Sequence, residues 1–159
     1  MRKRPASFER EASQRFQFLV DQHGFAGPGY SDRLLPLVTY HRRDLRISIH
    51  LQSDPHDGAG KRISVSISLT GAGGWLKADL DALVEAALYA PRHRVAWKAH
   101  TADAMRGTLD DNATWIRRLM PLLQGPDALD TVRRANRHET DKTGNPKRRP
   151  PGIEWKYEP

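Results

Sequence analysis

The chain contains no cysteine, which excludes disulfides and thiolate zinc sites and removes any need for an oxidising compartment. A cytoplasmic location is the expectation. No stretch approaches the roughly 18 consecutive apolar residues of a membrane span, so no membrane partner is expected. The basic start, MRKRPASFEREASQRFQFLV, runs into an amphipathic polar segment rather than the apolar centre of a secretory signal. Several chemical signatures are missing as well: there is no HEXXH pair, no G-x-S-x-G elbow and no lysine-serine pair of a P-loop. These absences point away from an enzyme and call for no cofactor. Hydrophobic residues make up only 38% of the 159, which still suffices for one domain with a sizeable core.

What the chain has in excess is positive charge. The formal net charge is +7, and arginine outnumbers lysine 19 to 7. A basic surface attracts polyanions, although arginine, alanine, glycine and proline in these proportions also arise from GC-rich coding. The cations gather at the two ends: Arg2, Lys3 and Arg4 at one, Arg133, Arg134, Arg137, Lys142, Lys147, Arg148 and Arg149 towards the other.

The most regular stretch is RISIHLQSDPHDGAGKRISVSISLT, residues 46 to 70. Ile47, Ile49 and Leu51 alternate with Arg46, Ser48, His50 and Gln52, and Ile63, Val65, Ile67 and Leu69 alternate with Ser64, Ser66, Ser68 and Thr70. A period of two is that of a half-buried strand. Pro55, Gly58 and Gly60 with Asp54 and Asp57 predict a long polar loop joining the two strands into an antiparallel hairpin. LVTYHR, 37 to 42, predicts a third strand turned back at Arg43-Asp44.

Around this meander the spacing predicts helices. Ser7 caps one over 8 to 22, with Phe8, Ala12, Phe16, Leu19 and Val20 as its stripe and Gly24 at its end. AGPGYSDRLLP, with its breakers, predicts a loop, and GAGG at 71 to 74 predicts a turn or hinge. Further helices are expected over 79 to 89, 108 to 124 (kinked or shortened by Pro121) and 127 to 137, with a short fourth strand within 92 to 101. The fold class is therefore α+β: an antiparallel three- to four-stranded meander with helices on one face. Its domain spans 1 to 138, and 139 to 159 form a basic, proline-rich tail too polar to fold without a partner.

Candidate sites carry plain readings beside sharp ones. His41, His50, Asp54, His56 and Asp57 make a metal or a general base geometrically conceivable, but their spacing matches no ligand motif and solvated surface side chains are the expected reading. The serine ladder Ser48, Ser64, Ser66 and Ser68 admits a nucleophile, but flanked by Arg46, His50 and Arg62 it better suits flat contact with another macromolecule. The predicted partner surface is Arg46, His50, Asp54, His56, Asp57 and Arg62. The alternative is a nucleic-acid-binding arm of Arg133, Arg134, Arg137, Lys147, Arg148, Arg149 and Trp155, in which cations release counterions and aromatics stack. That arm reads equally as a solubilising tail. A small hydrolase or metal-dependent enzyme is the third reading.

With the elements placed, FLVDQHGF, VTYHRRDLRISIHL and NATWIRRLMPLLQGPDAL, across residues 8 to 135, resemble many small bacterial proteins, some of them similar to immunity proteins carried beside polymorphic toxins. That resemblance implies a non-enzymatic protein-binding role, occlusion of a toxin's active surface. The chain departs from such proteins in its strong positive charge, since immunity proteins that face basic nuclease toxins are commonly acidic.

Overall fold

The computed structural model describes residues 7–31, 35–54, 57–71, 74–137 and 154–157. The elements run α1 Ser7–Arg15, α2 Gln17–His23, β1 Ala26–Tyr30, β2 Leu37–Arg42, β3 Leu45–Asp54, β4 Asp57–Gly71, β5 Gly74–Asp79, α3 Leu80–Ala86, a 3-10 turn Arg92–Arg94, α4 Ala102–Leu123 and α5 Ala128–Arg137. The class is α+β, and the sheet is five-stranded in the order β1-β2-β3-β4-β5, each strand antiparallel to the next. The alternation in β3 and β4 sets its two faces. Tyr40, Ile47, Ile67 and Ala78 share one rung, and Val38, Ile49 and Val65 another, all buried in the core with Phe16, Leu83, Leu109, Ile116 and Val132 of the helices.

The sheet has five strands where three to four are expected, and two of them, β1 and β5, fall where no strand is expected. AGPGY, read as a loop, is the edge strand β1; its ladder to β2 is interrupted between Ala26 and Gly29. Proline is tolerated at such an edge irregularity because no ladder N–H is required of it there. Pro28 follows a cis bond from Gly27. A Cβ on Gly27 would lie 2.7 Å from the Thr39 carbonyl oxygen, so only glycine lets the strand lie this close. GWLKAD, read as the run-up to a helix, is β5: GAGG is a turn, but one between strands, with Gly71 opposite Gly74. Its brevity and weak strand formers hid the alternation of Trp75, Lys77 and Asp79 outward with Leu76 and Ala78 inward.

The helix expected over 8 to 22 divides at Phe16. Residues two apart cannot share one helix face, yet Phe16 and Phe18 are both buried, their rings 6.1 Å apart. Gly24, at φ 70°, ends α2 as expected. The 79 to 89 helix stops at Ala86, because Leu88 takes a left-handed conformation at φ 59° and Tyr89 N–H returns to the Val84 carbonyl. Leu88 is accordingly exposed instead of buried. α4 begins earlier than expected, where Thr101 Oγ1 accepts from Ala104 N–H at 3.1 Å, and continues past Pro121 to Leu123. α5 forms where expected.

The long loop of SDPHDGAGK is mostly strand. Asp54 pairs with Asp57, and the register shifts after Ser53, so β4 absorbs the extra residues as an irregularity. The expected strand within 92 to 101 reduces to a single bridge, Arg62 to Lys98. At the far end, residues 154–157 pack against the domain. Lys156 and Tyr157 donate N–H to the Leu88 and Tyr89 carbonyls at 2.9 and 2.8 Å. The Arg118 guanidinium lies 4.7 and 4.4 Å from the ring centroids of Trp115 and Tyr157. Of the expected tail, 139 to 159, only residues 154–157 are described, and there Tyr157 packs against Tyr89 and Trp115.

Candidate functional site

The face of the sheet turned away from the core is polar and, among the described residues, open. Its rungs follow from the register: His41, Arg46, Ser68 and Lys77; Thr39, Ser48, Ser66 and Asp79; Leu37, His50 and Ser64; Gln52 and Arg62; Thr70 and Trp75. Trp75 is 61% exposed, and the Arg46 guanidinium stands 5.7 Å from its ring centroid. A shallow groove of about 270 Å³ crosses the face, lined by His50, Gln52, Arg62, Ser64, Ser66, Lys77 and Asp79.

The outer edge of β4 is covered twice. β5 pairs with Ser66 to Gly71, and residues 97 to 99 lie against Lys61 to Ile63. Between the two covers opens a second cleft of about 410 Å³, reaching from Arg62, Ser64 and Asp79 down to Asp81, Arg92, His93 and Asn112. Trp97 stands at its lip, 40% exposed, with Arg62 5.8 Å and Lys98 5.7 Å from its ring centroid. Arg62 Nε is buried there with no acceptor among the described residues.

The backbone beneath Trp97 is held from two sides. Ala96 N–H donates to Asp111 Oδ2 at 2.8 Å, and the Ala96 carbonyl accepts from Asn112 Nδ2 at 2.9 Å. The Lys98 carbonyl accepts from Thr108 Oγ1. On the sheet side, Ile63 N–H donates to the Trp97 carbonyl and Ala99 N–H to the Lys61 carbonyl. Burial pushes the Asp111 carboxyl above the usual range, against the opposing pull of Ala96 N–H and Asn112.

His50 is half-buried opposite Ser64, and burial, then the Lys77 charge, holds its imidazolium form below the ordinary range, with Asp79 opposing. The depressed His50 value means that protonation favours the unfolded chain. The contribution of His50 to stability is complete above its ordinary pKa near 6.5 and is lost as pH falls below it. Thermal melts at pH 7.5 and 5.5 should show a smaller acid-induced loss for His50→Gln than for the parent; an identical loss would refute the assignment.

Of the predicted partner surface, Arg46, His50 and Arg62 share the open face. Asp54 is buried, its Oδ2 4.0 Å from His100 Nε2, and lines the edge cleft instead of a loop above the sheet. His56 lies outside the described residues, and of Asp57 only the strand position is described. Among the described residues no three His, Asp or Glu side chains come together as a metal site. No helix there is long and apolar enough to cross a membrane.

Of the alternative arm, Arg133 bonds Asp130 at 3.3 Å on α5, Arg134 bonds Thr131 on the same helix, and Arg137 ends it. Trp155 is half-buried, while Lys147, Arg148 and Arg149 lie outside the described residues. Sequence reasoning missed Trp75, Lys77 and Lys98 as surface groups. The signal was the continued alternation Trp75, Lys77, Asp79 after the glycines. Comparison with protein-family models, with curated proteins and with solved structures finds no match.

Proposed function

We propose that this chain is a non-enzymatic binding module for nucleic acid and that the open face of the sheet is its working surface. The carrying observation is that register places Arg46, Lys77 and Arg62 with Trp75 on one flat face whose groove is lined by a single carboxylate, Asp79. Phosphates favour such a concentration of cations because each contact releases condensed counterions. The part-exposed hydroxyls of Ser64 and Ser68 add hydrogen-bonding capacity without bulk, so an extended chain can lie against the strands. The net charge of +7 supports the same partner through long-range attraction.

Anisotropy titration of a labelled oligonucleotide across a salt series tests this. If about three to four phosphates are engaged, the log-log slope for a single strand is about −2 to −3. Arg46→Glu with Lys77→Glu should weaken binding at least about tenfold and flatten that slope. Absence of binding at low salt, or indifference to the charge reversal, contradicts the proposal.

A protein partner is the second reading, supported by the flat, uncharged serine ladder at the centre of the face and by the likeness to immunity proteins seen in the sequence. A pull-down with and without nuclease separates them. A stoichiometric protein complex that survives nuclease favours the second reading, and loss on nuclease treatment or in salt favours the first.

A further inference from the structure

Resting on the nucleic-acid reading, we infer that the ligand is single-stranded and that Trp75 and Trp97 are the two platforms on which its bases stack. Two of the four tryptophans stand at the surface, and each has cations against its ring: Arg46 beside Trp75, Arg62 and Lys98 beside Trp97. An exposed indole beside a guanidinium offers a π-face to a base and a charge to the adjoining phosphate.

Trp97 is also unusually well held for an exposed ring. Residues 96 to 99 make five hydrogen bonds, to Asp111, Asn112 and Thr108 on α4 and to Lys61 and Ile63 on β4. A ring on a fixed backbone loses little freedom when a ligand stacks on it, so more of the contact appears as affinity.

The two rings attach along the same edge of β4. Trp75 pairs with Thr70 and Trp97 bonds Ile63, which is seven residues along the strand (70 minus 63) and roughly 23 Å at strand rise. The groove of Ser64, Ser66, Lys77 and Asp79 lies on the face that carries Trp75, and Trp97 stands at the lip of the edge cleft, which shares Arg62, Ser64 and Asp79 with that groove. A span of this size falls within the about 4 to 16 nucleotides that one single-strand groove holds. A duplex does not suit the site, because its bases are stacked on one another and present only edges, whereas both indoles require a free base face. Asp79 in the groove and Asp54 and Asp81 in the cleft beside Trp97 are carboxylates along this path. They repel phosphate, which places the backbone near Arg46 and Lys77 at one end and Arg62 and Lys98 at the other.

The test measures affinities of one oligonucleotide of about 12 nucleotides, single-stranded and annealed to its complement, for the full chain and for Trp75→Ala, Trp97→Ala, Trp75→Phe and Trp97→Phe. Each alanine variant should weaken single-strand binding by about five- to a hundredfold, the effect of losing one base stack. Each phenylalanine variant should recover part of it, and duplex binding should change less than about threefold. Far-UV circular dichroism of all four variants checks that the fold is kept, Trp75 being 61% and Trp97 40% exposed. Unchanged single-strand affinity in the alanine variants, with Arg46→Ala and Lys77→Ala still weakening it, overturns this inference and leaves the nucleic-acid reading standing. Duplex binding as tight as single-strand binding overturns it too. No binding of either probe at low salt removes both.

Discussion

Removing residues 154–159 should lower the thermal midpoint by about 6 to 12 °C, reflecting about 3 kcal/mol of lost stability in a domain of this size. The contributions are specific. Tyr157 meets Tyr89 edge-on at 5.0 Å and Trp115 at 6.0 Å, and such pairs add about 0.5–1.5 kcal/mol each beyond burial. Two backbone hydrogen bonds to Leu88 and Tyr89 vanish as well, and Arg118 loses one of its two aromatic faces. Tyr157→Ala should reproduce most of the loss. A truncated chain that melts with the parent would show that these residues behave as a free polar tail.

Asn112→Ala should cost about 2 to 3 kcal/mol, because it strands a part-buried acceptor in addition to removing a buried side chain. Asn112 is 1% exposed, and its amide is the donor to the Ala96 carbonyl. The consequence reaches the surface, since Ala96 is the first residue of the segment that carries Trp97. Denaturant unfolding gives the stability change. Indole emission should show Trp97 more mobile in the variant, and oligonucleotide affinity should fall although the Asn112 side chain is itself buried. Asp111→Asn is the informative neighbour: it keeps an acceptor for Ala96 N–H and removes a carboxylate that burial already disfavours in its charged form. It should therefore destabilise much less. Equal losses for the two variants would contradict this account of the clamp.

The parts of the fold that were legible from sequence are those in which a local pattern and the tertiary environment agree. Ile47, Ile49, Val65 and Ile67 alternate with polar residues over a length that leaves no other reading, and the register confirms which face each occupies. Gly24 and α5 were equally legible, because capping and spacing are local. β1 was not, since a Gly-Pro-Gly strand exists only because Thr39 and Tyr40 lie close beneath it. The break at Phe16 likewise depends on Phe18 finding Arg117, whose guanidinium lies 4.2 Å from its ring centroid. Neither contact leaves a trace in the neighbouring residues.

The candidate site divides the same way. Arg46, His50 and Arg62 were visible as the polar phase of an alternating run, which continues through Trp75 and Lys77 on a strand too short to declare itself. Trp97 was visible as a residue and not as a site. Its position depends on hydrogen bonds from Asn112 and Thr108, on a helix that begins after it in the chain. The spacing of Pro55, Gly58 and Gly60 predicts a loop that carries Asp54, and the structure buries Asp54 at the strand end because β4 runs further than its glycines suggest.

The central claim is that the open sheet face receives nucleic acid, and mapping backbone amide and indole shifts on the isotope-labelled chain tests it most directly. On addition of a single-stranded oligonucleotide, the largest shifts should fall on Arg46 to Gln52, Arg62 to Thr70 and Trp75 to Asp79, with the Trp75 and Trp97 indole Nε1–H signals among them. Shifts confined to α5 and residues 154–157, or none at all at low salt, would contradict it.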